Sequence, residues 1–179
     1  MEDLVDADIE AVFARFVRPV LVEHGYTPNE HTYRRRVEFG VYAIFDFGVR
    51  PWVPGQRLLW ASFGVVLHKP RPWLPQDLQA QVARDPGIEK AQFRGQLRPP
   101  EGYALEVPAP GWTLLSGVSV EPLGPALVDG VEGVAMPLIS QVLDGERRMA
   151  VLTHPDAHTH GLPPFIYDTS GGEPIYQNW

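Results

Sequence analysis

Val41-Tyr42-Ala43-Ile44-Phe45-Asp46-Phe47-Gly48-Val49-Arg50 decides the fold. Its period is two: Val41, Ala43, Phe45 and Phe47 fall on one face of an extended chain, and Tyr42, Ile44 and Asp46 on the other. Trp52-Val53-Pro54-Gly55-Gln56 follows as a turn, and Arg57 to His68 repeats the alternation through Leu59, Ala61, Phe63, Val65 and Leu67. Upstream, residues 31–36 read as another strand, with Val37-Glu38-Phe39-Gly40 turning into Val41. Strands joined by turns this short must be antiparallel, so the centre of the chain is predicted to be a meander.

One face of that meander needs a cover, and the flanking sequence supplies two. Ile9, Val12, Phe13, Phe16, Val17, Val20 and Leu21 form one helical stripe, with Asp6 or Asp8 to cap it and Gly25 to stop it. Pro19 conflicts with that helix, since an interior proline costs about 3 kcal/mol. A kink there, or two abutting helices, keeps the stripe facing the core. The second cover holds Leu127, Val128, Val131, Val134, Ala135, Leu138, Ile139, Val142 and Leu143, weakened or divided by Gly130, Gly133 and Pro137. Between the covers, the sequence predicts a short helix from Leu74 to about Asp85, and short strands at 88–97, 102–107 and 111–120. The class is therefore α+β, an antiparallel meander covered on one face by an N-terminal amphipathic helix and a later C-terminal one. A single domain over 1–179 is expected, with the aromatic tail 153–179 packed irregularly on it.

Composition narrows the function classes. Hydrophobic residues make up 44% of the 179 and charged residues 21%, which suits a packed core. The net charge of −7 disfavours phosphate backbones, so no nucleic acid is expected, and it favours a basic protein partner. With no cysteine, disulfides and thiolate chemistry are excluded. The start, Met1-Glu2-Asp3, is acidic where a signal peptide is basic, and no apolar run reaches the roughly 20 residues of a membrane helix. A cytoplasmic protein with no membrane partner is the expectation. Oligomeric state has no sequence signal.

Phe16 to Leu67 carries a recognisable order of features. Pro19-Val20-Leu21-Val22-Glu23-His24-Gly25-Tyr26 ends the first helix, Tyr33-Arg34-Arg35 opens a strand, and Phe63-Gly64-Val65-Val66-Leu67 closes another. Met136-Pro137-Leu138 to Leu143-Asp144-Gly145 lies in the last helix. In these stretches, 16–67 and 136–145, the chain resembles a bacterial family of small cytoplasmic proteins catalogued as domain of unknown function 4304. The resemblance implies a helix-on-sheet fold and supplies no catalytic residues. By fold-level analogy it points to immunity proteins that block a toxin.

Three groups of residues invite chemistry. His154-Pro155-Asp156-Ala157-His158-Thr159-His160 offers His154, Asp156, His158 and His160 as zinc ligands of the right type, on a spacing with no known scaffold. Its alternatives are polar surface and the site of a metal-dependent hydrolase. Arg34 and Arg36 share one face of their strand beside Tyr33, where they clamp an oxyanion or simply pair with Glu38 or Asp46. Trp52 and Trp73 fall in connections among proline and arginine, where aromatic anchors of partner surfaces are found, as are plugs for core ends. No nucleophile elbow or phosphate loop is present. The leading expectation is a non-catalytic binding protein, immunity-type or regulatory, for a basic protein partner, with no cofactor. The alternative is a metal-dependent hydrolase that uses the His154–His160 loop, with zinc as the metal its ligand types fit.

Overall fold

In a computed structural model, the chain is described over residues 8–38, 40–67, 86–91, 93–99, 111–144, 165–166 and 175–176. Helix α1 runs over 8–23. Strands β1 (Thr27–Asn29), β2 (Thr32–Glu38), β3 (Val41–Pro51) and β4 (Gln56–Leu67) form a continuous antiparallel meander. The alternation read from Val41 to Leu67 is the one observed, with Phe45 opposite Phe63 and Phe47 opposite Ala61. Two differences lie at its start: β1 adds a short strand, and β2 continues to Glu38 through an irregularity between Arg36 and Glu38.

The second edge of β4 takes two strands end to end. Strand β5 (Phe93–Leu97) pairs with Ala61 to Val65, and β6 (Trp112–Leu115) pairs with Gln56 to Leu59. Residues 88–90, expected as strand, form a 3₁₀ turn, and 116–120 leave the sheet after β6. Within the tail expected to pack irregularly, β7 (Phe165–Ile166) and β8 (Ile175–Tyr176) extend the sheet, β7 parallel to β5. The helix predicted from Leu74 and the strand at 102–107 lie outside the described residues.

Helix α2 (Leu123–Leu143) begins four residues before its predicted stripe. It is long and apolar enough, by length and composition, to cross a membrane. Here Leu123, Leu127, Val131, Ala135, Ile139 and Val142 are buried in the same core as the sheet. That core joins Ile9, Val12, Phe13, Val17 and Leu21 of α1 to Tyr33, Ala43, Phe45, Phe47, Ala61, Phe63 and Val65. Phe13 and Phe47 meet edge-on at 4.9 Å and Tyr26 and Phe45 at 5.2 Å, as their quadrupoles favour, while Phe45 and Phe47 lie parallel at 6.3 Å.

Both helices carry a proline inside them, and both solve the problem the same way. Phe13–Val17 and Val131–Ala135 are π-helical, and Pro19 and Pro137 each stand two residues beyond. In a regular α-helix each proline ring would meet the carbonyl four residues back, and its missing N–H would break the ladder. The wider turn absorbs both effects, with Arg18 N–H bonding to Phe13 O and Met136 N–H to Val131 O, five residues back. Neither helix divides. The two helices approach closely where Gly124 meets the Phe16 ring, a contact that leaves no room for a Cβ.

The opposite face of the sheet is also partly covered. Tyr42, Ile44, Val66 and Ala91 form a second small core, with Ile88 packed against it. Ile44 and Val66 are wholly buried, so the 86–91 segment removes from water the apolar side chains that the alternation sends away from the helices.

Candidate functional site

The turn between β3 and β4 stands at one end of the sheet. Trp52 N–H donates to Gln56 O and Gln56 N–H to Val53 O, closing the hairpin. This presents Trp52, 40% exposed, and Val53, 45% exposed. Beside it, the turn after β6 is fastened by Ser116 N–H donating to Gly55 O at 2.9 Å, and it presents Val118, 59% exposed. Three of the five large apolar side chains that the described residues expose therefore sit on two adjoining turns. Behind them, the Arg50 guanidinium lies 4.7 Å from the Trp60 ring and 5.7 Å from that of Trp52, which holds Trp52 at the rim.

The structure separates the other sequence candidates. Arg34 points to the face away from the helices, where its Nε donates to Pro86 O at 2.8 Å. It thereby ties down the 86–91 cover. Arg36 shares that face of β2, is exposed, and has an interaction of its own. Trp52, like Arg36, is exposed. Trp73, His154, Asp156, His158 and His160 lie outside the described residues. Trp112, one of the chain's five tryptophans, is wholly buried and donates its Nε1–H to Leu97 O at 3.0 Å.

A cleft of about 320 Å³ opens elsewhere, between the end of α1, β2 and α2, lined by His24, Tyr26, Arg35, Glu132, Met136, Pro137 and Ser140. Gly25 stands between two of its lining residues, His24 and Tyr26. With φ at +81°, Gly25 ends α1 by donating to Val22 O, while Tyr26 N–H reaches back to Leu21 O. That double bond turns Tyr26 inward until 3% of it is exposed, and its hydroxyl has no hydrogen-bond partner among the described residues. Burial pushes the Tyr26 phenol up to about 12, against the opposing pull of the Arg35 charge.

Arg35 reaches the cleft because it alternates with Arg34 and Arg36 and so shares the helix-covered face with Tyr33. Its guanidinium lies 5.1 Å from the centre of the Tyr26 ring. Its Nη1 donates a long hydrogen bond, 3.4 Å, to His24 O, and its buried Nε has no partner among the described residues. From α2, Glu132, Met136 and Ser140 face the cleft at intervals of four, and Glu132 Oε1 lies 3.5 Å from His24 Nε2 at the rim.

Sequence reading missed this cleft. It assigned oxyanion binding to Arg34 and Arg36. The available signal was the parity of the strand: whichever face carries Tyr33 also carries Arg35. Compared with family models, curated proteins and solved structures, the chain matches none.

Proposed function

We propose that this chain is a non-catalytic binding protein of the immunity or regulatory kind, which docks a basic protein through the turn-bearing end of its sheet. The observation that carries the reading is the grouping of Trp52, Val53 and Val118 on two turns fastened together. Aromatic and aliphatic groups displayed on a rigid rim are the usual anchors of protein interfaces. The net charge of −7 supplies the complementarity, steering a basic partner toward the chain from a distance.

The test is a paired capture from bacterial lysate with the wild type and with Trp52→Ala, at low and raised salt. The expected result is one basic protein retained by the wild type, released as salt rises, and depleted about tenfold or more by the variant. Equal recovery by both proteins, or a partner indifferent to salt, would overturn the assignment. Because Trp52 is 40% exposed and packs on Arg50, the stability of the variant is measured alongside by urea unfolding, so that a loss of fold is not read as a loss of binding.

A further inference from the structure

The turn-bearing end of the sheet is cationic, although the chain as a whole is acidic. Residues 47–60 and 111–120, which build the two fastened turns and the strands beside them, contain Arg50 and Arg57 and no aspartate or glutamate. Arg57 is half-buried and has an interaction of its own. Arg50 is exposed and makes no hydrogen bond or ion pair among the described residues. Aromatic contact holds it instead, with its guanidinium 4.7 Å from the centre of the Trp60 ring and 5.7 Å from that of Trp52. Gly48 stands opposite Trp60, and a Cβ there would meet nothing within 4 Å, so the ring is open to the arginine two residues on. A guanidinium resting on a ring face keeps its N–H edge free for an acceptor.

We infer that this end of the sheet recognises an acidic side chain on its protein partner, an Asp or Glu flanked by an apolar residue. The carboxylate accepts from the Arg50 guanidinium, and the apolar neighbour lies on the exposed Trp52 and Val53. The inference rests on the docking surface proposed above and names the group that seats on it. Charge acts here at two ranges. The net charge of −7 steers the partner as a whole, whereas the group in contact answers to the local charge, which is positive. A carboxylate fits a guanidinium in a planar, two-point geometry, and Arg and Trp are enriched where interfaces concentrate their energy. An anionic membrane brings the same sign of charge. One free arginine on a chain of net charge −7 is too little to hold such a surface.

The test needs no captured partner. Acetyl-Leu-Glu-Leu-amide and its Gln and Lys counterparts are titrated into the full chain while backbone amides and tryptophan indoles are followed by NMR. An acidic chain favours the Lys peptide nonspecifically, so a preference for the Glu peptide is a stringent result. Saturable shifts at residues 50–56 and 115–118 are expected, with the Glu peptide bound about tenfold or more tighter than the Gln peptide. Arg50→Gln should abolish that preference, and Arg50→Lys, which keeps the charge without the planar fork, should restore only part of it. Circular dichroism and urea unfolding report the fold of each variant. Equal binding of the Glu and Gln peptides, both lost with Trp52→Ala, would overturn the carboxylate inference and leave the docking surface standing. A preference for the Lys peptide, or no saturable shift with any of the three, would also overturn it, while the lysate capture decides the docking surface separately. Binding to phosphatidylserine vesicles but not phosphatidylcholine vesicles, weakened by Arg50→Gln, would assign the arginine to a membrane instead.

Discussion

Tyr26 shows how one residue couples the fold to its chemistry. A tyrosine in an unfolded chain ionises near 10, whereas the buried phenol keeps its proton to about 12. Between those values the unfolded chain binds fewer protons than the folded one. Stability is therefore complete below pH 10 and is lost as the pH rises through 12, by about 2–3 kcal/mol from this residue. Tyr26→Phe should remove that loss while leaving stability at neutral pH unchanged or up to about 1 kcal/mol higher, because the hydroxyl removed has no partner among the described residues. Urea unfolding of both proteins at neutral pH and across this alkaline range would measure the difference. Parallel pH profiles would contradict the burial of the phenol. Sequence reading reached this residue only in part, since Gly25 was legible as a helix stop. The direction in which the turn aims Tyr26 depends on a tertiary partner, Phe45, that lies nineteen positions away.

Elements were more legible than sites, and the reason is periodicity. Val41 to Leu67 alternates over two long strands, and a slip of one residue would turn Phe45 and Phe63 into solvent, so the register is strongly specified. The two helical stripes are equally clear. Hidden from sequence were the responses to their prolines: Pro19 and Pro137 suggest kinks or breaks, whereas a π turn before each keeps the helix continuous. Also hidden was the contact at Gly124, which lies before the predicted stripe and proves to be where Phe16 meets α2. Gly124→Ala should destabilise the fold by about 1–3 kcal/mol through overpacking. Trimming the ring with Phe16→Leu in the same chain should recover part of that loss, as a double-mutant cycle would report. Strict additivity of the two changes would show that the helices do not meet there.

For the whole molecule, sequence predicted the helix-covered meander but not the cover on its far face. Ile44 and Val66 already signal that the far face is apolar at its centre, yet the segment that covers them, 86–91, returns from a distance and has no periodicity to announce it. The same geometry separates two surfaces. Arg34 is engaged in holding that cover, Arg35 turns to the cleft beneath α2, and Trp52 stands at the end of the hairpin. Ion pairs across the molecule add little to this arrangement, because Arg15 and Glu121, 3.3 Å apart, are both more than half exposed. Burial in the shared core of α1, α2 and the sheet holds the two surfaces apart, so each can be altered without disturbing the other.

Hydrogen exchange on the chain, free and with a basic protein recovered in the proposed capture, tests the central claim most directly. The account predicts added protection concentrated at residues 52–56 and 115–118, with the cleft amides at 24–26 and 132–140 unchanged. Protection centred on α1 or α2, or none at the hairpin end, would contradict it.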